Sequence, residues 1–157
     1  MSERLKGRQR PTAVHHLLMD DDTAARAALA LANQEWELST LRTDTTDDEV
    51  AAAKQAREAA QAAVDACYEP ITMRAMPPTT FELLAAQHPA RKDKPDERWN
   101  NDTFPRALFL MSVVGDMTNE EWVTFLDEQC SQGERTALGM AALNVNARWP
   151  SGDIPKG

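Results

Sequence analysis

Helix-breaking residues are nearly absent from the first half of the chain. No proline lies between Pro11 and Pro70, and no glycine lies between Gly7 and Gly115. In the interior of an α-helix, proline is about 3 kcal/mol and glycine about 1 kcal/mol less favourable than alanine. Their absence, together with many alanines, predicts long continuous helices in this half of the chain.

Cysteine is scarce as well, and long apolar segments are absent. Cys67 and Cys130 stand alone without CxxC spacing, which predicts reduced, partly buried thiols and a cytoplasmic location. No segment approaches the ~20 apolar residues of a membrane-spanning helix, and no apolar signal-peptide segment follows Met1. We therefore expect no membrane association.

The motifs that mark common catalytic sites are also missing. The sequence holds no GxxxxGK(S/T), GxSxG, HExxH or GxGxxG pattern. His15 and His16 are adjacent and point in different directions, so we interpret them as a solvated pair. His88 is expected to cap a helix end before Pro89, and Asp20 to Asp22 are expected to cap a helix start. The sequence predicts no enzyme, no cofactor and no metal site.

Cations are too few for a general nucleic-acid binder. The chain has 17 Lys and Arg residues against 25 Asp and Glu residues, a net charge of −8, whereas phosphate neutralisation needs clustered cations. One short basic segment is the exception, and it contains Arg4, Lys6, Arg8 and Arg10. We interpret residues 1–19 as a flexible, basic arm.

Residues 20–69 are predicted to form an alanine-rich antiparallel helical hairpin. A first helix is expected over about 23–42. A second helix is expected over about 46–68, because Thr46 and Glu49 fit the S/T-x-x-E capping box. The short polar segment between the two patterns predicts a tight connection.

Apolar residues on seven-residue spacings define the expected seam of this hairpin. The second helix offers Val50, Ala53, Ala60, Val64 and Cys67, interrupted by Arg57, and the first offers Ala24, Leu31, Leu38 and Leu41. Alanine buries little area, so we expect a weak seam. Two interpretations remain open. The hairpin is either an arm that packs only on itself or an arm for oligomerisation or docking.

Residues 70–149 contain most of the aromatic residues and are predicted to form a compact helical domain, with a flexible tail at 150–157. Three more capping boxes predict helices at about 79–87, 119–130 and 132–146, and they pair Thr79 with Glu82, Thr118 with Glu121, and Ser131 with Glu134. The expected core contains Phe81, Leu84, Phe104, Leu108, Trp122, Phe125, Leu138 and Leu143.

The sequence therefore predicts an all-α fold, in which the N-terminal antiparallel helical hairpin is followed by a small helical bundle. Residues 71–76 alternate weakly and are compatible with a strand. We expect at most this one short strand.

Three sequence blocks follow one another in the second half: MRAMPPTTFELLAAQHP, then WNNDTFPRAL, then MTNEEW with ERTALGMAALNVN. Their order over residues 70–146 resembles that of the tail assembly chaperones of long-tailed (siphovirus-type) bacteriophages and related prophages. The alanine-rich hairpin ahead of them resembles the variable N-terminal arm of such proteins.

This resemblance implies a protein that binds a partner and catalyses no reaction. Tail assembly chaperones bind the tape measure protein, keep it soluble in the host cytoplasm and support tail-tube assembly, and they are absent from the mature virion. The resemblance thus implies the tape measure protein as partner, together with self-association. One alternative is a structural virion component, such as a minor tail or connector protein.

A second alternative is a small helix-turn-helix regulator of DNA. The helices expected at 119–130 and 132–146 are joined by a turn near Gly133. However, the second helix has only Arg135 in its first turns, beside Glu134. A helix that faces phosphates needs more cations, so nucleic-acid binding is not expected.

Apolar residues outside the expected core are the best candidates for partner binding: Met73, Met76 and Trp149. Methionine is flexible and suits adaptable surfaces, and tryptophan is enriched among interface anchors. The alternative is that all three complete the packing of the domain itself.

Overall fold

The computed structural model describes residues 2–147 of the chain. It divides the chain into two compact units. We call Met1–His15 with Ile71–Gly157 the main unit, and His16–Pro70 the hairpin unit. Trp149 and the tail predicted at 150–157 lie outside the described residues.

The expected all-α fold is wrong. The structure is 60% helical and 12% strand, so the fold is mixed α/β. Within the described residues, the strands β1 (Thr12–Leu18), β2 (Tyr68–Arg74) and β3 (Val113–Val114) form an antiparallel sheet in the order β1-β2-β3. Only β2 overlaps the one strand that the sequence predicts, and β1 lies in the segment interpreted as a flexible arm.

The sequence did not predict β1 and β3 because these strands depend on partners that are distant in the chain. The Ala75 N–H donates to the Pro11 carbonyl at 2.8 Å, and the Met19 N–H donates to the Cys67 carbonyl at 2.8 Å, so bonds close both ends of the β1–β2 pair. On its other side, β2 pairs Met73 with Val113 in β3. Strand formation depends more on such cross-strand packing than on local preference, so a two-residue strand leaves no sequence pattern.

The hairpin unit contains α2 (Thr23–Leu41) and α3 (Asp47–Asp65). The predicted capping box at the start of α3 is confirmed. The Thr46 N–H donates to Glu49 Oε2 at 2.8 Å, and the Glu49 N–H donates to Thr46 Oγ1 at 3.2 Å. These local bonds fix where the second helix begins.

The helices of the main unit are α1 (Glu3–Lys6), α4 (Pro78–Ala86), α5 (Phe104–Ser112), α6 (Asn119–Thr124) and α7 (Gln132–Ala147), with a π-helical turn over Phe125–Gln129. The boxes at Thr118 and Ser131 are formed. The box predicted at Thr79 is wrong, because α4 begins at Pro78 and its N-cap is Pro77, two residues before Thr79. Proline suits the first helical position, since its missing N–H would have no partner there.

The core of the main unit centres on Phe104, whose side chain has no exposed surface. The ring of Trp99 lies 4.6 Å and the ring of Phe81 lies 5.5 Å from it, measured between centroids. Of the predicted core residues, five are buried: Leu84, Phe104, Leu108, Trp122 and Leu138. The other three are half-buried: Phe81, Phe125 and Leu143.

Candidate protein-binding surface

The seam of the hairpin unit combines small side chains with a few large ones. On α3, Val50, Ala53, Arg57, Ala60 and Val64 are half-buried or buried, as the sequence predicts. On α2, the half-buried or buried residues are Ala25, Leu29, Ala32, Trp36 and Ser39. The distance between packed helices depends on the side chains at their contact, so the alanines and the serine allow close approach where they lie.

The seam predicted for α2 is wrong. The sequence predicts that Leu31, Leu38 and Leu41 face α3, but they are 65%, 42% and 79% exposed, and Ala24 is exposed as well. The residues that do pack inward repeat at spacings of three and four residues. The periodicity therefore identified an amphipathic helix but selected the wrong face of it.

We call Leu31, Leu38 and Leu41 the leucine stripe. Spacings of seven and three residues place these side chains on one face of α2, over about 15 Å of helix. Isolated exposed leucines are common on protein surfaces. Here, however, three of the four leucines of α2 lie outside while two alanines and a serine lie inside, against the usual arrangement of an amphipathic helix. Such a face is typical of a surface that another chain covers.

The surface around the stripe is acidic. The hairpin unit holds twelve Asp and Glu residues and four Lys and Arg residues. Its net charge of −8 therefore equals that of the whole chain, and the main unit has thirteen residues of each sign. Two of the four cations have intramolecular partners, because Arg26 pairs with Asp22 and Arg57 stacks on Trp36. The unit thus combines an apolar stripe with a strongly negative surround.

Hydrogen bonds fix the start of α2 against the start of β2. The Tyr68 hydroxyl donates to Asp22 Oδ2 at 2.6 Å, and the Arg26 side chain donates to the same oxygen. The Tyr68 hydrogen bond first, and the Arg26 bond second, lower the pKa of Asp22. One residue earlier, Asp21 accepts from the Thr23 N–H at 3.0 Å, whereas the N-cap residue Asp22 itself makes no side-chain capping bond to the helix.

The predicted partner-binding residues Met73 and Met76 belong to the main unit and not to the hairpin unit. Met73 lies in β2 with no exposed surface. Met76 is half-buried, and its N–H donates to Asn146 Oδ1 at 2.8 Å. Trp149 lies outside the described residues. The burial of Met73 agrees with the alternative that it completes the packing of its own domain.

Of the other residues considered from the sequence, His88 has a side-chain partner. His88 Nδ1 lies 2.9 Å from Thr103 Oγ1, at the end of α4. Burial raises the pKa of the half-buried Cys130 thiol.

Between residues 2 and 147, no group of three His, Cys, Asp or Glu side chains is arranged to hold a metal ion. In the same range, none of the helices has the length and apolar character of a membrane span.

The sequence contains a signal for the acidic unit and for the spacing of the three leucines, but not for the exposure of the stripe. Counting charges within residues 20–69 shows an excess of acidic residues. Which face of α2 is exposed depends on the packing of Leu29, Trp36 and the small side chains between them against α3, and that is a property of the fold.

No protein-family model matches the chain, and neither a curated protein nor a solved structure does so.

Proposed function

We propose that this protein is a phage tail assembly chaperone that binds the tape measure protein, keeps it soluble in the host cytoplasm and supports tail-tube assembly. The observation that carries the proposal is the leucine stripe of the hairpin unit. A chaperone without turnover needs an exposed apolar surface for its client, and it needs charge that keeps the complex in solution. The hairpin unit supplies both.

The size of the stripe favours weak, reversible binding. A fully buried leucine contributes about 1.5–3 kcal/mol, so burying the exposed parts of these three would contribute roughly 3–6 kcal/mol. Ordering two molecules opposes this gain by several kcal/mol. Several weak contacts along a long client would hold it in solution and still release it during assembly.

The test is co-expression with the tape measure protein of the same genome, followed by measurement of the soluble fraction of that protein. We expect the chain to keep the tape measure protein soluble. The triple variant Leu31→Ser/Leu38→Ser/Leu41→Ser should lose most of this effect. Leu83→Ser is the matched control, because Leu83 is 64% exposed but lies in the main unit.

Two results would contradict the proposal. A tape measure protein that is equally soluble without the chain would remove the chaperone role. Recovery of the chain from purified, mature particles by mass spectrometry would favour a structural virion component instead. The DNA-binding alternative gains no support from α7, because its Arg135 lies 3.8 Å from the carboxylate of Asp127.

A further inference from the structure

We propose that the leucine stripe binds a cationic amphipathic helix, in which apolar residues on one face are flanked by Lys and Arg. This inference deepens the proposed function and rests on its claim that the hairpin unit binds a client. It assigns both the surface used and the chemistry of the segment that it recognises.

The geometry of α2 favours a helix as the occupant. Ala24, Leu31 and Leu38 are exposed at seven-residue intervals, the repeat with which two helices pack side chains between one another. The face from Ala24 to Leu41 spans about 26 Å. The alanine at one end allows close approach, and the leucines at the other end supply the apolar area.

The acidic residues around the stripe favour a partner with positive charge. Glu35 is exposed one turn from both Leu31 and Leu38, and Glu37 is exposed next to Leu38. Beyond Leu41, the connection to α3 and the first turn of that helix add one cation, Arg42, and four acidic residues: Asp44, Asp47, Asp48 and Glu49. Lys and Arg on the flanks of a bound helix would meet these carboxylates and complement the potential of the unit.

The same charge disfavours other occupants. The hairpin of a second copy would bring a further net charge of −8 to the interface, and like charges brought together oppose binding. The membrane surface and nucleic acid are also negatively charged and would be repelled. A cationic helix is the partner that gains from both features of the unit.

The experiment uses the full chain and labelled synthetic helices of about 18 residues, enough to cover the face. One peptide carries leucines at the spacing of the stripe with lysine flanks. A second has glutamate flanks, and a third has lysine flanks with serines in place of the leucines. Binding is followed by fluorescence anisotropy. We expect the first peptide to bind at least about tenfold more tightly than either of the others, a difference of one decade in Kd.

Variants of the chain separate the apolar and the charged contributions. The triple serine variant of the stripe should abolish binding, while Leu83→Ser leaves it unchanged. Glu35→Gln/Glu37→Gln keeps the stripe and should weaken binding of the lysine peptide several-fold. Raising salt from about 0.1 M to about 1 M shortens the screening length from about 10 Å to about 3 Å, so it should reduce the preference for lysine over glutamate.

Each of the following outcomes would overturn the inference. Equal binding of the lysine and glutamate peptides would remove the charge selection, and unchanged binding by the triple serine variant would remove the stripe. A dimer that this variant abolishes, seen by light scattering, would identify a second copy as the occupant. Stripe-dependent binding to anionic vesicles would identify a membrane.

The two proposals can fail separately. If the lysine peptide binds selectively but the tape measure protein is not kept soluble, only the proposed function fails. If solubilisation needs the stripe but the peptides show no preference, only the inference about the partner fails.

Discussion

The guanidinium of Arg57 lies over the indole ring of Trp36, 4.9 Å from the ring centroid. This contact explains how a charged residue occupies a position of the α3 seam that the sequence shows only as an interruption. The cation lies over the face of an aromatic ring, which attracts positive charge.

This pair should be energetically coupled. We expect the double-mutant cycle of Arg57→Ala and Trp36→Ala to give a coupling of about 0.5–1 kcal/mol in the free energy of unfolding. Arg57→Met is the control, because it keeps a long apolar stem without the charge. If the coupling with Trp36 is the same for methionine as for arginine, the contact is packing and not a cation–π interaction.

Two glycines of α7 should respond in opposite directions to alanine. A Cβ added at Gly139 would lie 2.9 Å from Cβ of Pro105 in α5, so the two helices would have to separate. We expect Gly139→Ala to destabilise the protein by about 1–3 kcal/mol. At Gly133 the nearest atom is Ser131 Oγ at 3.9 Å, so Gly133→Ala should stabilise by up to about 1 kcal/mol. Denaturant unfolding measures both, and equal effects would contradict the close approach.

Asn146 connects α7 to α5 and to the segment between β2 and α4. Its Oδ1 accepts from the Met76 N–H at 2.8 Å, and its Nδ2 donates to the buried Ser112 Oγ at 2.8 Å. Removing one partner of a buried hydrogen bond costs about 1–3 kcal/mol, and we expect this loss for Asn146→Ala in denaturant unfolding. Asn144→Ala, two residues away and exposed, is the control. Similar losses at both positions would show that the bonds of Asn146 contribute no stability.

Asp96 should make the stability of the main unit depend on acid pH. Its side chain has no exposed surface and accepts from Arg91 Nε at 2.8 Å, from Arg91 Nη2 at 3.1 Å and from the Asn101 N–H at 3.3 Å. The Arg91 side chain, as the largest cause, holds the pKa of Asp96 well below its usual range. Because the folded pKa is lowered, the stabilisation is fully present above the unfolded pKa of about 3.9. It is lost as the pH falls through the folded pKa.

We therefore expect Asp96→Asn to lower the unfolding midpoint in urea at pH 7. The difference from the unsubstituted protein should shrink as the pH falls below about 4. Asp93→Asn, at an exposed position of the same loop, is the control and should change neither the midpoint nor its pH dependence. A difference that stays constant with pH would contradict the assignment to the charge of Asp96.

The sequence by itself determined where several helices begin. A capping box needs only two side chains three residues apart and the backbone of one turn, so Thr46, Thr118 and Ser131 mark helix starts without help from the rest of the fold. Thr79 does not cap a helix, because α4 already begins at Pro78 with Pro77 as its N-cap. Of the four aromatic residues assigned to the core from the sequence, Phe104 and Trp122 are buried, and Phe81 and Phe125 are half-buried.

The tertiary structure decided the sheet. Strands β1 and β2 are separated by a helical hairpin of about fifty residues, and β3 has only two residues. Their pairing satisfies backbone groups across a long sequence separation, which no window of the chain can show.

The tertiary structure also decided which face of α2 is exposed. Two faces of that helix carry apolar residues at helical spacing, one with Leu29, Trp36 and two alanines, the other with the three leucines of the stripe. The number of leucines alone favours the stripe as the buried set. Packing against α3 favours the other face, because its small residues allow close approach and its Trp36 accepts the cation of Arg57. The candidate binding surface exists because packing left three of the four leucines of α2 exposed. The number of apolar residues in a single helix does not show which face will be exposed.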